Sequence, residues 1–488
     1  MRREGKMGFP WFTLAGLCLL ALPLTGFALP FTDITGKAGV GNIGNGKGVA
    51  WADIDRDGFQ DLFVSNKGGL SILYRNNGDG TFTDITRKAG LAEAATGYSM
   101  GSCFADYDND GYPDLYVVKG GREEIEPNRL MRNNGDGTFT DVTDKAGVGA
   151  KMFTYAAAWA DYDRDGFLDL YLANYGVGKK NILYRNNGNG TFTDMTDKAG
   201  VGDRSWSWSA VWCDVNNDGR PDLYVVNGQY PTGQPNKLYI NNGDGTFRDQ
   251  SRESGADDPN WGLGAAFADY DNDGNFDLYV SNYVGPNRLL HNDGKGKFTD
   301  VSTPAGLAYE GWGKGPSWGD VDNDGDPDLY EGDCKLANQL YINDGKGKFA
   351  NQADKFPAVK NEGVRTKGTA FCDIDNDGDI DLFVVSWGGA NKLYRNEQND
   401  RNFIGVKLVG TVSNRDAVGA RVKVSQNGKQ VGLREVFSMS GFCSQPPLTQ
   451  HFGLPAPGKY KVDVTWPGGA KSSGTYQSGQ IVTIVEGK

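Results

Sequence analysis

Residues 51–64 read Trp51-Ala52-Asp53-Ile54-Asp55-Arg56-Asp57-Gly58-Phe59-Gln60-Asp61-Leu62-Phe63-Val64: an apolar run, alternating aspartates, a glycine, and a second apolar run. The pattern recurs along the chain with first aspartates at Asp53, Asp106, Asp161, Asp214, Asp269, Asp320 and Asp373, spaced 51 to 55 residues apart. So regular a period marks one structural unit repeated. In the first copy the unit continues through Asp61-Leu62-Phe63-Val64-Ser65-Asn66, then Ile72-Leu73-Tyr74-Arg75-Asn76-Asn77, a Gly-rich turn, and Gly80-Thr81-Phe82-Thr83-Asp84-Ile85-Thr86. Apolar and polar residues alternate in these runs, which predicts four short strands rather than helices. Four strands in about 53 residues is the size of a propeller blade.

A linear β-solenoid also repeats one unit, but with shorter repeats and capped ends. The ends of the repeat region favour a closed ring instead. The fourth strand occurs at Phe82, Phe139, Phe192, Phe247, Phe298 and, degraded, at Phe349, whereas the seventh unit stops after Leu393-Tyr394-Arg395-Asn396. Phe31-Thr32-Asp33-Ile34-Thr35-Gly36-Lys37-Ala38-Gly39 matches Phe82-Thr83-Asp84-Ile85-Thr86-Arg87-Lys88-Ala89-Gly90, so the N-terminal strand is expected to complete the last blade and leave no free edge. The expected fold is therefore all-β: a seven-bladed propeller over residues 29–400, closed by an N-terminal strand, then a small β-sandwich-like domain over 401–488. The tail earns that reading from alternating strands with Gly and Pro turns.

In D-x-D-x-D-G-x-x-D the carboxylates at positions 1, 3 and 5 fall on one side of a tight turn, the Gly at 6 allows the bend, and the Asp at 9 returns from the next strand. Crowded hard oxygen ligands suit calcium; magnesium prefers to keep its waters. The candidate ligands are Asp53, Asp55, Asp57 and Asp61 in blade 1, Asp106, Asp108, Asp110 and Asp114 in blade 2, and Asp161, Asp163, Asp165 and Asp169 in blade 3. Blade 4 offers Asp214, Asn216, Asp218 and Asp222, and blade 5 Asp269, Asp271, Asp273 and Asp277. Blade 6 offers Asp320, Asp322, Asp324 and Asp328, and blade 7 Asp373, Asp375, Asp377 and Asp381. The backbone carbonyl of Phe59 is the expected fifth ligand in blade 1. Metal-free acidic turns are the alternative, but four close carboxylates repel at neutral pH unless a cation or protonation relieves them. In blade 6, Asp320, Asp322, Asp324, Gly325 and Glu331 also satisfy the EF-hand pattern. That pattern needs flanking helices, and the other blades carry Val or Leu where Glu331 stands, so it is set aside.

Bulk properties agree. The chain has 488 residues, 38% hydrophobic and 23% charged, enough for a packed core, and its 71 glycines lack a collagen period. Residues 1–28 combine Arg2, Arg3 and Lys6 with an apolar stretch from Met7 to Leu24 and small residues at Gly26 and Ala28, which reads as a secretory signal cut after Ala28. A retained membrane anchor is the competing reading; the stretch is short, and Cys18 lacks the small preceding residue of a lipid-attachment site. Secretion places the protein outside the cell, or in the periplasm or on the surface of a bacterium. Cleavage takes the formal charge from −12 to about −14, which seven divalent ions would neutralise. Acidity argues against nucleic acid and anionic membranes as partners. Cys103, Cys213, Cys334, Cys372 and Cys443 are too dispersed for a disulfide framework and read as core residues.

The repeat resembles the FG-GAP/VCBS type of calcium-binding blade, similar to that of integrin α-subunit propellers, over residues 31–396. The tail resembles the ASPIC/UnbV domain through Ser413-Asn414-Arg415-Asp416-Ala417-Val418-Gly419-Ala420-Arg421-Val422, Ser444-Gln445, His451-Phe452-Gly453-Leu454 and Trp466-Pro467-Gly468-Gly469. Together the regions resemble the cartilage acidic protein family. The resemblance implies extracellular calcium binding and adhesion or matrix contact, and brings no catalytic residues.

Neither histidine has a nucleophile signature nearby: His291 fills the slot of Arg75, Arg132, Arg185 and Arg395, and His451 belongs to the tail motif. A candidate ligand rim lies eight residues before each first aspartate: Tyr98, Phe153, Trp206, Trp261 and Trp312, with Asn45 in blade 1 and Arg365 in blade 7. Exposed, such an arc could stack on sugars or on a partner's side chains; otherwise it packs between blades. Two functions remain in view. One is a secreted calcium-binding adhesion module for a glycan or protein. The other is a propeller enzyme acting on polysaccharide, lyase-like, which a convergent Tyr, Arg and Lys set in the central funnel would favour.

Overall fold

A computed structural model describes residues 31–121, 126–176, 178–229, 233–398 and 400–488. The predicted signal segment 1–28 lies outside them. The repeat region folds into seven antiparallel blades. In blade 3, Thr154–Ala160, Asp169–Asn174, Ile182–Asn186 and Phe192–Asp194 pair in that order, from the central channel outward. The inner strand of blade 3 is buried along its whole length, which is why it is a run of small and apolar residues, Thr-Tyr-Ala-Ala-Ala-Trp-Ala. The Trp of this strand packs on the outer-strand Phe of its own blade in four copies: Trp51 on Phe82, Trp159 on Phe192, Trp212 on Phe247 and Trp318 on Phe349.

The ring closes as the sequence predicts. Thr32–Asp33 pairs antiparallel with Lys392–Arg395, Thr32 opposite Arg395. Lys392 Nζ holds Asp33 at 2.8 Å. A second seam, Ile43 opposite Ala390, joins blade 1 to blade 7. One local feature was not legible: the T-D-K-A-G segments after the outer strands form single helical turns, such as Thr143–Ala146, ended by Gly147 at φ 76°.

The tail forms two sheets. Phe403–Val409 lies between Gln450–Gly453 and Gln480–Val485, and the other sheet runs Lys429–Glu435, Arg421–Gln426, Lys459–Thr465, Lys471–Gln477. Val422, Val424, Phe452, Tyr460, Val462 and Trp466 are buried in its core. The tail sits on the propeller face that carries the acidic loops and sends residues 436–447 down the channel. There Ser444 and Gln445 pair in parallel with Val49 and Ala50 of blade 1. Gln445 bonds both backbone groups of Phe104, accepting from its N–H at 2.6 Å and donating to its carbonyl at 2.8 Å. Gly441 N–H donates to the Ala265 carbonyl at 2.7 Å.

This plug fits because one repeat position, five residues before each first aspartate, is always small: Gly48, Gly101, Ala156, Ser209, Gly264, Gly315 and Gly368. A Cβ on Gly48 would lie 1.9 Å from the Cys443 carbonyl oxygen. Beside these contacts a cavity of about 620 Å³ lined by Phe267, Phe276, Trp318, Phe371, Phe403 and Arg434 lies between part of the tail and blades 5 to 7. The five cysteines of the described residues are free and buried, as expected.

Candidate metal centres

Each acidic loop begins where an inner strand leaves the channel. The turn needs two left-handed residues, not only the glycine that the pattern advertises. Position 4 has positive φ in every blade, at Arg56, Asn109, Arg164, Asn217, Asn272, Asn323 and Asn376, and so has the glycine at position 6, such as Gly58 at 95°. Asn tolerates this region best of the non-glycine residues, which accounts for its use in five of the seven.

The carboxylates are held by backbone donors. Asp106 accepts from Asp110 N–H at 2.9 Å and Gly111 N–H at 2.7 Å, and Asp110 accepts from Tyr112 N–H at 3.0 Å. The aspartate at position 9 bridges the loop to the third strand: Asp61 accepts from Ile54 N–H at 2.9 Å and Asn76 N–H at 2.8 Å. Asp114, Asp169, Asp222, Asp328 and Asp381 repeat both bonds.

Several of these clusters could hold a metal ion. Carboxylate oxygens of Asp53, Asp55 and Asp57 come within 4.8 Å of one another, as do those of Asp106, Asp108 and Asp114, of Asp161, Asp163 and Asp169, and of Asp269, Asp271 and Asp277. The donor set fits a hard cation, and the orphan oxygens point the same way. At position 3, the Oδ1 atoms of Asp55, Asp108, Asp163, Asp322 and Asp375 are buried without a hydrogen-bond partner. A buried carboxylate oxygen left bare is costly. Burial, with neighbouring carboxylates adding to it, raises Asp61 and Asp106 to about 8 and Asp161, Asp269 and Asp373 to about 7. The loops thus crowd carboxylates whose charge a cation or protonation must relieve.

Basic side chains supply only part of it. Arg132 bonds Asp108 Oδ2 at 2.8 Å and Asp110 Oδ2 at 2.9 Å, and Arg185 bonds Asp163 Oδ2 at 2.6 Å and Asp165 Oδ2 at 2.9 Å. Each takes the outer oxygens and leaves Oδ1 of position 3 facing inward. His291 does this in blade 5, reaching Asp277 at 3.1 Å, which raises its imidazole to about 9. Blades 4 and 6 have Ile240 and Ile342 at this place, and in blade 4 Arg220 reaches Asp218 Oδ2 at 2.9 Å from within the loop instead.

Two groups of functional residues escaped the sequence reading. The first is an Asn of the third strand that latches each blade to a neighbouring acidic loop. Asn186 Nδ2 donates to Tyr107 O in blade 2 at 2.8 Å and to Leu168 O in its own blade at 3.1 Å. Asn76, Asn133, Asn241, Asn292, Asn343 and Asn396 do the same with Ile374, Ile54, Tyr162, Val215, Tyr270 and Val321. Its recurrence in the repeat was the available signal. The second group is the tail's contact set on the loops: Lys407 on Asp53 at 2.9 Å, Asp416 accepting from Asp106 N–H at 2.7 Å, and Gln430 on Asp269 at 2.8 Å. Arg421 stands 3.5 Å from Asp214 and pairs with buried Glu435 at 2.9 Å. Nothing in the spacing of these residues announces loops that lie hundreds of positions away.

The predicted rim residues lie together on the opposite face, half packed and half open. Trp312 is 37% exposed and Arg365 is exposed, Tyr98, Trp206 and Trp261 are intermediate, and Phe153 is buried. The rings touch one another across blades: Tyr175 meets Phe153 at 5.0 Å and Trp206 at 4.5 Å, and Tyr283 meets Trp261 at 4.9 Å and Trp312 at 4.7 Å. Glu331 is accounted for as a packing residue: buried between blades 5 and 6, it accepts from Ser281 Oγ at 2.5 Å and Lys314 N–H at 3.0 Å.

Family models match both halves of the chain. The FG-GAP-like repeat matches residues 53–117, 120–172, 163–225, 225–280 and 269–331, together more than half the chain, and the ASPIC and UnbV model matches 410–488. The chain belongs to the FG-GAP repeat family with an ASPIC and UnbV domain. Among relatives of this FG-GAP protein, cartilage acidic protein 1 of Homo sapiens is 26% identical over 90% of the chain and 71% of the relative. That of Mus musculus is 26% identical over 90% and 73%. A solved structure of YCF48 bound to D1 peptide superposes at a TM-score of 0.47 and 9% identity over 77% of this chain and 97% of that one, too loose a likeness to bear on function. Among the described residues no helix is long and apolar enough to cross a membrane.

Proposed function

We propose that this is a secreted, extracellular calcium-binding module, of the matrix type that its cartilage acidic relatives suggest, which binds a glycan or protein partner. The observation that carries the calcium reading is the buried, unpartnered Oδ1 at position 3 of the loop, repeated in five blades. In blade 2, Asp106, Asp108, Asp110 and Asp114 would hold the ion, and the other blades follow the same positions with Asn216 in blade 4. Calcium supplies positive charge and six to eight oxygen bonds in a flexible geometry. The chain's own groups do the rest: backbone N–H donors orient each carboxylate, the Asn latch ties each loop to a neighbouring blade, and the docked tail screens the loops from solvent. Calcium here is structural, and partner binding falls to the other face.

The test is calorimetric titration of the purified protein with calcium, followed by a glycan and matrix-protein array with calcium and with chelator. Saturable uptake of several ions per chain and calcium-dependent binding support the reading; absence of uptake would sink it. The lyase-like reading also has one observation in its favour. Tyr283, Lys314 and Arg365 stand near one another at the open mouth of the channel, with Lys314 Nζ 5.1 Å from the Tyr283 ring. Unsaturated products released from an acidic polysaccharide would select it.

A further inference from the structure

Six residues before each first aspartate, one step above the ring of small residues, stand Lys47, Met100, Tyr155, Trp208, Leu263, Lys314 and Lys367. In six blades this position lies at a break in register between the inner strand and its neighbour, as between Gly46 and Gly48 or between Gly313 and Gly315. Such bulges re-aim a side chain that regular pleating would send elsewhere. Here they gather the side chains around the channel mouth, opposite the acidic loops. The half-ring of blades 2 to 5 is apolar or aromatic. The half-ring of blades 6, 7 and 1 is lysine.

The three lysines converge and are buried. Lys47 and Lys314 are 7% exposed and Lys367 6%. The plug tip forms the floor, with Lys314 Nζ 5.1 Å from the Phe442 ring and all three ammonium groups acting on the Cys443 thiol. Trp387 forms a wall, 4.5 Å from Lys47 Nζ, 5.5 Å from Lys367 Nζ and 5.6 Å from Lys67 Nζ. Among the described residues none of the three ammonium groups forms an ion pair, whereas nearby Lys119 has Glu126. Burial, with Lys367 next, pushes the Lys47 ammonium down to about 7 and holds Lys314 well below the usual lysine range. Buried charges are ordinarily paired, and like charges brought together repel. A ring face π-cloud offsets only part of that cost.

We propose that Lys47, Lys314 and Lys367 form a cup for an oxyanion, a sulfate, phosphate or carboxylate group, carried on a ligand whose remainder lies against the aromatic half of the mouth. Three converging ammonium donors match the acceptor oxygens of such a group, and Trp387, Tyr283 and Trp312 offer ring faces beside it. The cup would be the recognition site of the module proposed above, and rests on that reading only for the identity of the ligand's remainder. Free inorganic oxyanion and the sulfate of a sulfated glycan are two sources of the same chemistry.

The experiment titrates the calcium-loaded protein with sodium sulfate, replacing chloride at constant ionic strength, and follows tryptophan fluorescence and Tm. A saturable fluorescence change with a rise in Tm is expected. The variant K47M/K314M/K367M should lose the saturable change and melt higher than wild type in chloride, because buried like charges are gone; its residual sulfate response measures the general salting effect. Should that variant fail to fold, K367M alone should weaken sulfate binding at least tenfold. Identical sulfate responses of wild type and variant, or no saturable response in wild type, would overturn the proposal. A parallel titration with a sulfated and an unsulfated disaccharide separates the sources: tighter binding of the sulfated sugar than of sulfate assigns the cup to a glycan, and equal binding to the free ion. An array silent to glycans with sulfate still bound would remove the glycan reading and leave the cup standing.

Discussion

The two faces of the propeller are built from the two ends of the same strands, yet their chemistry is opposed. Where the inner strands end, aspartates crowd around a tight turn, and a second domain covers them with Lys407, Arg421, Gln430 and Arg434. Where those strands begin, lysines and aromatic rings surround a mouth that the tail reaches only from beneath, through the plug tip. One face is therefore closed and acidic, and the other open and partly cationic. Repetition fixes where a side chain stands, while the occupant of that place is free to differ between blades. Asp at position 1 is invariant around the ring because the turn needs its acceptors; the mouth position varies from Lys to Trp because no backbone bond depends on it.

The largest effect expected is on the acidic face. If each loop binds calcium at about ten times its dissociation constant, each contributes roughly 1.4 kcal/mol, and seven on the order of 10 kcal/mol. Chelation should then lower Tm by roughly ten degrees in a thermal scan, and an unchanged curve would show that the loops do not carry the fold.

The pH dependence sharpens this. Without calcium Asp61, Asp106, Asp161, Asp269 and Asp373 have folded pKa values of about 7 to 8, above their unfolded value of 3.8. Stability they contribute is fully present below about pH 4 and is lost as pH rises through 7 to 8. Melting in chelator should fall steadily across that window, and in calcium it should not.

Next in size, Arg421→Ala strands Glu435, whose side chain is 3% exposed, and should cost about 3–5 kcal/mol in denaturant unfolding. Because Arg421 also faces Asp214, the loss should loosen the tail on blade 4. Limited proteolysis would read it out.

Asn186→Ala removes two buried hydrogen bonds, one across to Tyr107 O of blade 2 and one to Leu168 O of its own blade, and should cost about 1–3 kcal/mol, calcium present or not. On the open face, Trp312→Ala should cost only about 1 kcal/mol, because the ring is 37% exposed and its packing is chiefly against Tyr283. Its main effect should appear as weakened binding on the array.

Much of this is legible in the sequence. The spacing of Asp53, Asp106 and their copies set the number of blades, and the match of Phe31–Gly39 to Phe82–Gly90 set the closure, because a strand that completes an edge must carry its partner's pattern. The acidic loops were readable because a turn, its glycine and its ligands lie within nine residues. The left-handed turn at position 4 was missed, since Arg56 and Arg164 occupy it as well as Asn.

The sequence alone determined the units, their order, the loop chemistry and the kind of tail, all of which rest on contacts between residues near one another in the chain or repeated along it. The tertiary structure decided what faces what: that Lys407 meets Asp53, that Gln445 reaches Phe104, and that Lys47 and Lys367 stand at one mouth. Those pairings are set by closure of the ring and descent of the plug, which bring together residues hundreds of positions apart whose local patterns carry no mark of one another.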